Sequence, residues 1–195
     1  MNAAWLSIRR GYRAWGPANI GPSMSEKARQ QEWQEVVAKL PRHLEVLLAC
    51  EAFGRGPGRE PPPREHGVYL FTEAGRHLYV GRCGLTERAA KKGVGHSNFR
   101  TRLAGHTRPS SAHNQATFAW RLAVEAVEGR WEDLPSTRLA LGRDSRFLRE
   151  FVRQKERVTA MEFRVVAITD DFESYVFEPY AALMLDTPYN SWATN

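Results

Sequence analysis

The chain is expected to fold as an α+β protein, a small sheet flanked by helices, on three observations. Two strand-like phrases, Gly67-Val68-Tyr69 and Tyr79-Val80-Gly81, lie on either side of the turn-forming Glu73-Ala74-Gly75, the pattern of a hairpin. Residues 161–168 alternate, with Met161, Phe163, Val165 and Ala167 on one face, the period of a half-buried strand. Elsewhere apolar residues recur three and four apart, the period of amphipathic helices. The 195 residues suit one domain with an extension, and 42% hydrophobic content supplies its core.

The elements follow in order. Residues 1–24 contain Arg9, Arg10 and Arg13 but no acid and no apolar signal core. They are expected to be a disordered tail or an over-called start, with Met24 the true start. Residues 25–53 read as helix, capped by Ser25 and broken at Pro41, with Trp33, Val36, Val37 and Leu40 and then Leu44, Leu47 and Leu48 at helical spacing. Residues 54–63 are a Gly/Pro linker, which places a domain boundary near residue 64. The main domain is therefore expected at 64–195, after a helical extension and linker at 25–63.

In the hairpin, a three-residue loop between Thr72 and Arg76 puts Tyr69 directly opposite Tyr79 on one face. A slip of one residue would send the two hydroxyls to opposite faces. Residues 82–97 are polar and contain glycine. Ser97 or Asn98 then caps a short helix holding Phe99, Leu103 and His106. Residues 116–127 are helix or strand. Asp144 starts a helix with Phe147, Leu148, Phe151 and Val152 as its inner stripe. Residues 172–185 form the last helix, in which Pro179 sits in the first turn or makes a kink.

A net charge of +6 points to an anionic partner, nucleic acid first. Cys50 and Cys83 form no CxxC pair, which implies neither a zinc site nor a disulfide framework and fits a reducing, cytoplasmic setting. No apolar run is long enough to span a bilayer, so no membrane partner is expected.

One group of residues carries chemistry. Arg102 and His106 are four apart and share a helix face. Phosphodiester hydrolysis needs a cation for the transition state and a base for water, and one helical turn offers both. Glu178 sits in an apolar stretch, Tyr-Val-Phe-Glu-Pro-Tyr. It is either an exposed helix-edge acid or a Mg²⁺ ligand acting jointly with substrate phosphate. Asn190 is either a turn asparagine or an amide that fixes a neighbouring strand.

The order Gly67-Val68-Tyr69, Tyr79-Val80-Gly81, Arg102, His106, Glu178, Asn190 resembles the GIY-YIG nuclease family across residues 66–192, with Val in place of the naming Ile. The resemblance implies a three-stranded antiparallel sheet flanked by helices, here with helical insertions. It implies Tyr69 and Tyr79 over the scissile phosphate and Arg102 stabilising transition-state charge. His106 stands where members carry His or Tyr, Glu178 ligates a single Mg²⁺ or Mn²⁺, and Asn190 is a supporting amide. A phenol titrates near pKa ~10, so Tyr69 is expected to contact the nucleophile with His106 as its proton relay.

The insertions at residues 82–98 and 104–161, and the stretch from His113 to Ala119, look like the type II restriction-endonuclease branch. The implied activity is metal-dependent hydrolysis of double-stranded DNA, by a homodimer where both strands are cut. A structure-specific repair nuclease and a binding module with a vestigial site are the alternatives. Candidate DNA-contacting cations are Lys91, Lys92 and Arg100, with Arg146, Arg149, Arg153 and Arg157 as a basic stripe on one helix.

Overall fold

The computed structural model describes residues 25–54, 58–84, 97–112 and 115–190. The elements are α1 (Glu26–Ala49), β1 (Gly67–Glu73), β2 (Arg76–Cys83), α2 (Phe99–Thr107), α3 (Thr117–Val127), α4 (Arg138–Leu141), α5 (Ser145–Ala160), β3 (Glu162–Ala167) and α6 (Asp171–Met184). This is the expected α+β class: one antiparallel sheet in the order β2-β1-β3, flanked by helices.

β1 is the central strand, and every residue from Gly67 to Thr72 is buried. Both faces of the sheet are covered. On one, Tyr69, Phe71, Phe163 and Val165 pack with Phe99, Phe118, Trp120, Phe147 and Phe151 from α2, α3 and α5. On the other, Val68, Leu70, Val80 and Val166 pack with Leu40 and Leu47 of α1 and Phe177 of α6. Sandwiching of this kind calls for β1 to be apolar at consecutive positions rather than alternating.

The hairpin differs from expectation. Ala74 and Gly75 both have positive φ (49° and 77°), as in a two-residue type I′ turn. Glu73 therefore pairs with Arg76 and Thr72 with His77. Continued regularly, that register would put Tyr79 on the face opposite Tyr69. A bulge prevents it: Phe71 pairs with Tyr79, and Leu78 is left over. Leu78 and Tyr79 consequently face the same core, and Val80 the other. Tyr69 lies opposite Gly81, not Tyr79, with Tyr79 its diagonal neighbour on the same face.

Other expectations are corrected by packing. Pro41 does not break α1, which runs through it. Leu40 and Leu47 on either side of the proline are buried in one core, which offsets the single backbone bond that proline removes. The compact body containing the sheet begins at Val36, not near residue 64. Part of the linker is also tied down, as Arg59 donates to the Met161 carbonyl at 2.7 Å. Residues 116–127 resolve as helix, with Phe118, Ala119, Trp120, Leu122 and Ala123 buried. The inner stripe of α5 is Phe147, Phe151, Gln154, Lys155 and Val158, with Leu148 exposed. Ala167 is exposed at the end of β3. Of the two alternatives for Pro179, the structure excludes the first turn, since the residue lies further inside α6.

Each sheet edge is met by a neighbouring segment. Phe53 exchanges backbone bonds with Phe163 beside β3. Residues 187–190 close the β2 edge, where the Tyr189 N–H donates to the Leu78 carbonyl at 3.2 Å. Among the described residues no helix is long and apolar enough to cross a membrane.

Candidate active site

α2 is aimed by its first residue. The Asn98 side chain accepts from the Thr101 N–H at 3.0 Å, and the Thr101 hydroxyl accepts from the Asn98 N–H at 2.9 Å. This reciprocal capping box sets the entry of the helix and turns Arg102 and His106 toward the sheet. His106 is 2% exposed. Its Nε2 lies 3.1 Å from the Tyr69 hydroxyl.

Tyr69, Tyr79, Arg82, Arg102, His106, Gln115, Thr117 and Glu178 line one cleft of about 280 Å³. Five of the six residues singled out from the sequence thus converge. The tyrosine rings are 6.4 Å apart, and Tyr79 is stacked on Phe118 at 4.9 Å. Tyr69 lies flat across β2 because its partner there is Gly81. A Cβ at Gly81 would stand 2.4 Å from the Tyr69 hydroxyl. Gly67 is required for a different reason: its φ is +145°, and a Cβ would meet the Val166 carbonyl at 2.2 Å.

The sixth residue, Asn190, lines no part of the cleft. Its side chain accepts from the Val80 N–H and donates to the Val80 carbonyl, both at 2.7 Å. The Thr187 hydroxyl, 2.9 Å away, donates to the same Asn190 oxygen. Of the two readings left open, strand fixation is the one seen, and the strand it fixes carries Tyr79 and Gly81.

Arg82 was missed. Regular alternation sends it to the face away from Tyr79, and nothing in its neighbourhood marks it. β2 is an edge strand, however, and α6 brings Glu178 to that side. The Arg82 Nε is 3.6 Å from the Glu178 carboxylate, and its guanidinium lies 3.4 Å above the Tyr175 ring. Gln115 and Thr117, also on the cleft wall, fall in the stretch already noted from His113 to Ala119.

The electrostatics are those of a partly buried cleft with two arginines and one carboxylate. The Nε atoms of Arg82 and Arg102 are buried without a hydrogen-bond partner among the described residues. Burial, with Tyr79 beside it, holds the Tyr69 phenol well above the ordinary value, though Arg102 pulls it down. Tyr79 is raised by burial and Glu178. Burial raises Glu178 too, against the pull of Arg82 and Arg102. Burial, then Arg102 and Lys155, push His106 down to about 3. His106 is therefore a neutral imidazole, and its Nδ1 has no partner among the described residues. Placing the proton on Nε2 leaves only a lone pair unmet, the smaller cost, and makes His106 a donor to Tyr69.

The outlying cations fare less well. Lys91 and Lys92 lie outside the described residues. The Arg100 Nε donates to the Pro62 carbonyl at 2.7 Å. Arg146 is gripped by Asp133 and Asp144, each at 3.0 Å. Arg157 is held by Glu73 through two bonds, at 2.9 and 2.6 Å. Arg153 pairs with Glu150 at 3.4 Å, and Arg149 is exposed. The expected stripe is thus interrupted, since its two end members are spent on acids of this chain.

Among the described residues no cluster of three metal-ligating side chains occurs. Glu178 is one hard oxygen donor facing a cleft, and Arg82 approaches only its Oε2. That suits a Mg²⁺ ion, which keeps several waters and takes one or two carboxylates plus substrate phosphate. No protein-family model, curated protein or solved structure matches the chain.

Proposed function

We propose that this chain is a divalent-metal-dependent endonuclease of the GIY-YIG type, with the fold of that family, hydrolysing phosphodiester bonds of double-stranded DNA. The observation that carries the reading is the single cleft. Two tyrosines, two arginines, a histidine and a carboxylate meet there from four elements, Tyr69 and Glu178 being more than a hundred residues apart. The composition is that of a site for anionic phosphate: cations without full partners, hydroxyls, and one hard metal donor.

Each residue then has a task. Arg102 and Arg82 bind the phosphate and stabilise charge as it grows on the non-bridging oxygens. Tyr69 accepts a hydrogen bond from the attacking water and orients it in line. His106, as a donor to Tyr69, fixes the neutral phenol so that its lone pair meets the attacking water, whose proton passes to a non-bridging phosphate oxygen as the new P–O bond forms. The proton-relay role expected of His106 does not suit its surroundings, because burial and Arg102 disfavour an imidazolium. Glu178 would hold the Mg²⁺ or Mn²⁺, which supplies Lewis-acid charge at the leaving oxygen when bound. Asn190 keeps β2, and so Tyr79, in register. Cutting both strands needs two such sites, which makes a homodimer with restriction-type cleavage the natural assembly.

Digestion of supercoiled plasmid tests the reading. The intact chain should nick or linearise it with Mg²⁺ and not with EDTA, and Glu178→Ala should abolish the product. Tight DNA binding without any metal-dependent product would instead identify a binding module with a vestigial site. Ends at one short sequence mean restriction; ends only at flaps or junctions mean repair.

A further inference from the structure

A second, larger groove of about 570 Å³ runs along α2 and the loop after it. It shares Arg102 and Gln115 with the catalytic cleft, so the two adjoin. Its described lining contains Arg100, Arg102 and Arg108 and not one carboxylate. Apart from Gln115 the rest is small or hydroxylated, which leaves room for a chain to lie against the wall.

The loop beneath is built to present little negative potential. The Ser111 hydroxyl donates to the Gly105 carbonyl at 2.5 Å, and the Ser111 N–H to the Arg108 carbonyl at 3.1 Å. From below, Lys155, with 0% exposure, donates to the carbonyl of Pro109 at 3.1 Å and to that of Ser111. Four oxygens that would repel an anion are already occupied. The ammonium occupying two of them adds positive charge under the floor, where low dielectric preserves its field. Lys155 is costly to bury unless it is hydrogen-bonded, and the partners it finds are these two loop carbonyls. Arg108 is exposed at the end of α2. It follows Arg102 by six residues, or about 9 Å along the helix axis.

We propose that this groove carries the DNA strand being cut, with Arg108 contacting a phosphate that flanks the scissile one. Lys155 is a positioning residue: by engaging the loop carbonyls it shapes the floor to accept phosphodiester oxygens. Which phosphate is scissile rests on the nuclease reading; the binding of the strand does not.

The test is the salt dependence of binding by the intact chain to a duplex oligonucleotide in EDTA, where nothing is cut. Removing one cation from the DNA backbone should flatten the plot of log K against log salt by about 0.9. Arg108→Ala should therefore lower the slope by about one, and Arg108→Lys should keep it. Lys155→Met should weaken binding at a salt concentration where circular dichroism shows it folded. An unchanged slope in Arg108→Ala overturns the proposal, as does an intact chain that fails to bind duplex. Plasmid left uncut with Mg²⁺, beside a lowered Arg108→Ala slope, would remove the nuclease reading and leave the groove standing. Cleavage with an unchanged slope would do the reverse.

Discussion

Gly81 shows how one missing side chain can hold a candidate active site together. Tyr69 crosses the strand at the place where a Cβ would sit 2.4 Å from its hydroxyl. In Gly81→Ala the ring must swing away from His106 and out of line with the cleft. Displacement of a reacting group by about 1 Å costs on the order of 100-fold in rate. Cleavage by Gly81→Ala should fall by about that factor while duplex affinity in EDTA stays within about twofold, since the arginines are untouched. Retention of full activity would mean that Tyr69 need not lie where the structure places it. Ala74 tells the opposite story. It takes a positive φ that Asn or Gly adopts more readily, and the turn forms because the flanking pairs demand it.

At the scale of elements, two attachments decide how the site is framed. The first fixes the edge strand. Asn190 satisfies both backbone groups of Val80, and Asn190→Ala strips them at an edge, a loss of about 1–3 kcal/mol. Amide exchange at Val80 should speed up severalfold, with kcat falling more than KM changes. An unaltered exchange rate would show that β1 alone holds the strand.

The second attachment joins α1 to α6. Glu173 is buried and accepts from Lys39 at 2.7 Å and lies 2.5 Å from the His43 Nε2. Burial raises its pKa, but the Lys39 and His43 bonds outweigh that and leave it lowered. A lowered carboxylate stabilises the fold above its unfolded pKa and loses that contribution as pH falls through the folded value. Urea unfolding should thus find Glu173→Gln about 1–2 kcal/mol less stable than the parent at pH 7. The gap should shrink steadily between about pH 5 and pH 3; a gap constant across that range would disprove the linkage.

At the scale of the molecule, the cleft exists because β2 is an edge strand. Tyr69, Tyr79, Arg102 and His106 belong to one face of the sheet, and Glu178 arrives on α6 from the other. They meet around the rim, which a central strand would block. The same geometry explains why Arg82 escaped notice: its role depends on a helix almost a hundred residues later. It also explains why the basic stripe failed. Arg146 and Arg157 look alike in sequence to Arg149, but Asp133 and Glu73 reach them only in the folded chain. Arg108, overlooked beside Arg102, gains its setting from Lys155 on a different helix.

The α+β class, the strand phrases and the caps, Ser97 or Asn98 and Asp144, were legible in the chain because periodicity and capping chemistry act over a few neighbours; the set Tyr69, Tyr79, Arg102, His106 and Glu178 was legible through its order along the chain, which resembles a known family. The side of the sheet on which Tyr79 stands was not. The type I′ turn alone would have turned it away from Tyr69, and the extra residue Leu78 turns it back. That bulge is held by the Tyr189 N–H on the Leu78 carbonyl and by Leu78 in the core, interactions that exist only once distant segments have packed. Sequence determined which polar and ionisable groups are available to the proposed chemistry; tertiary structure decided which of them face one another, because pairing parity and burial depend on partners far along the chain.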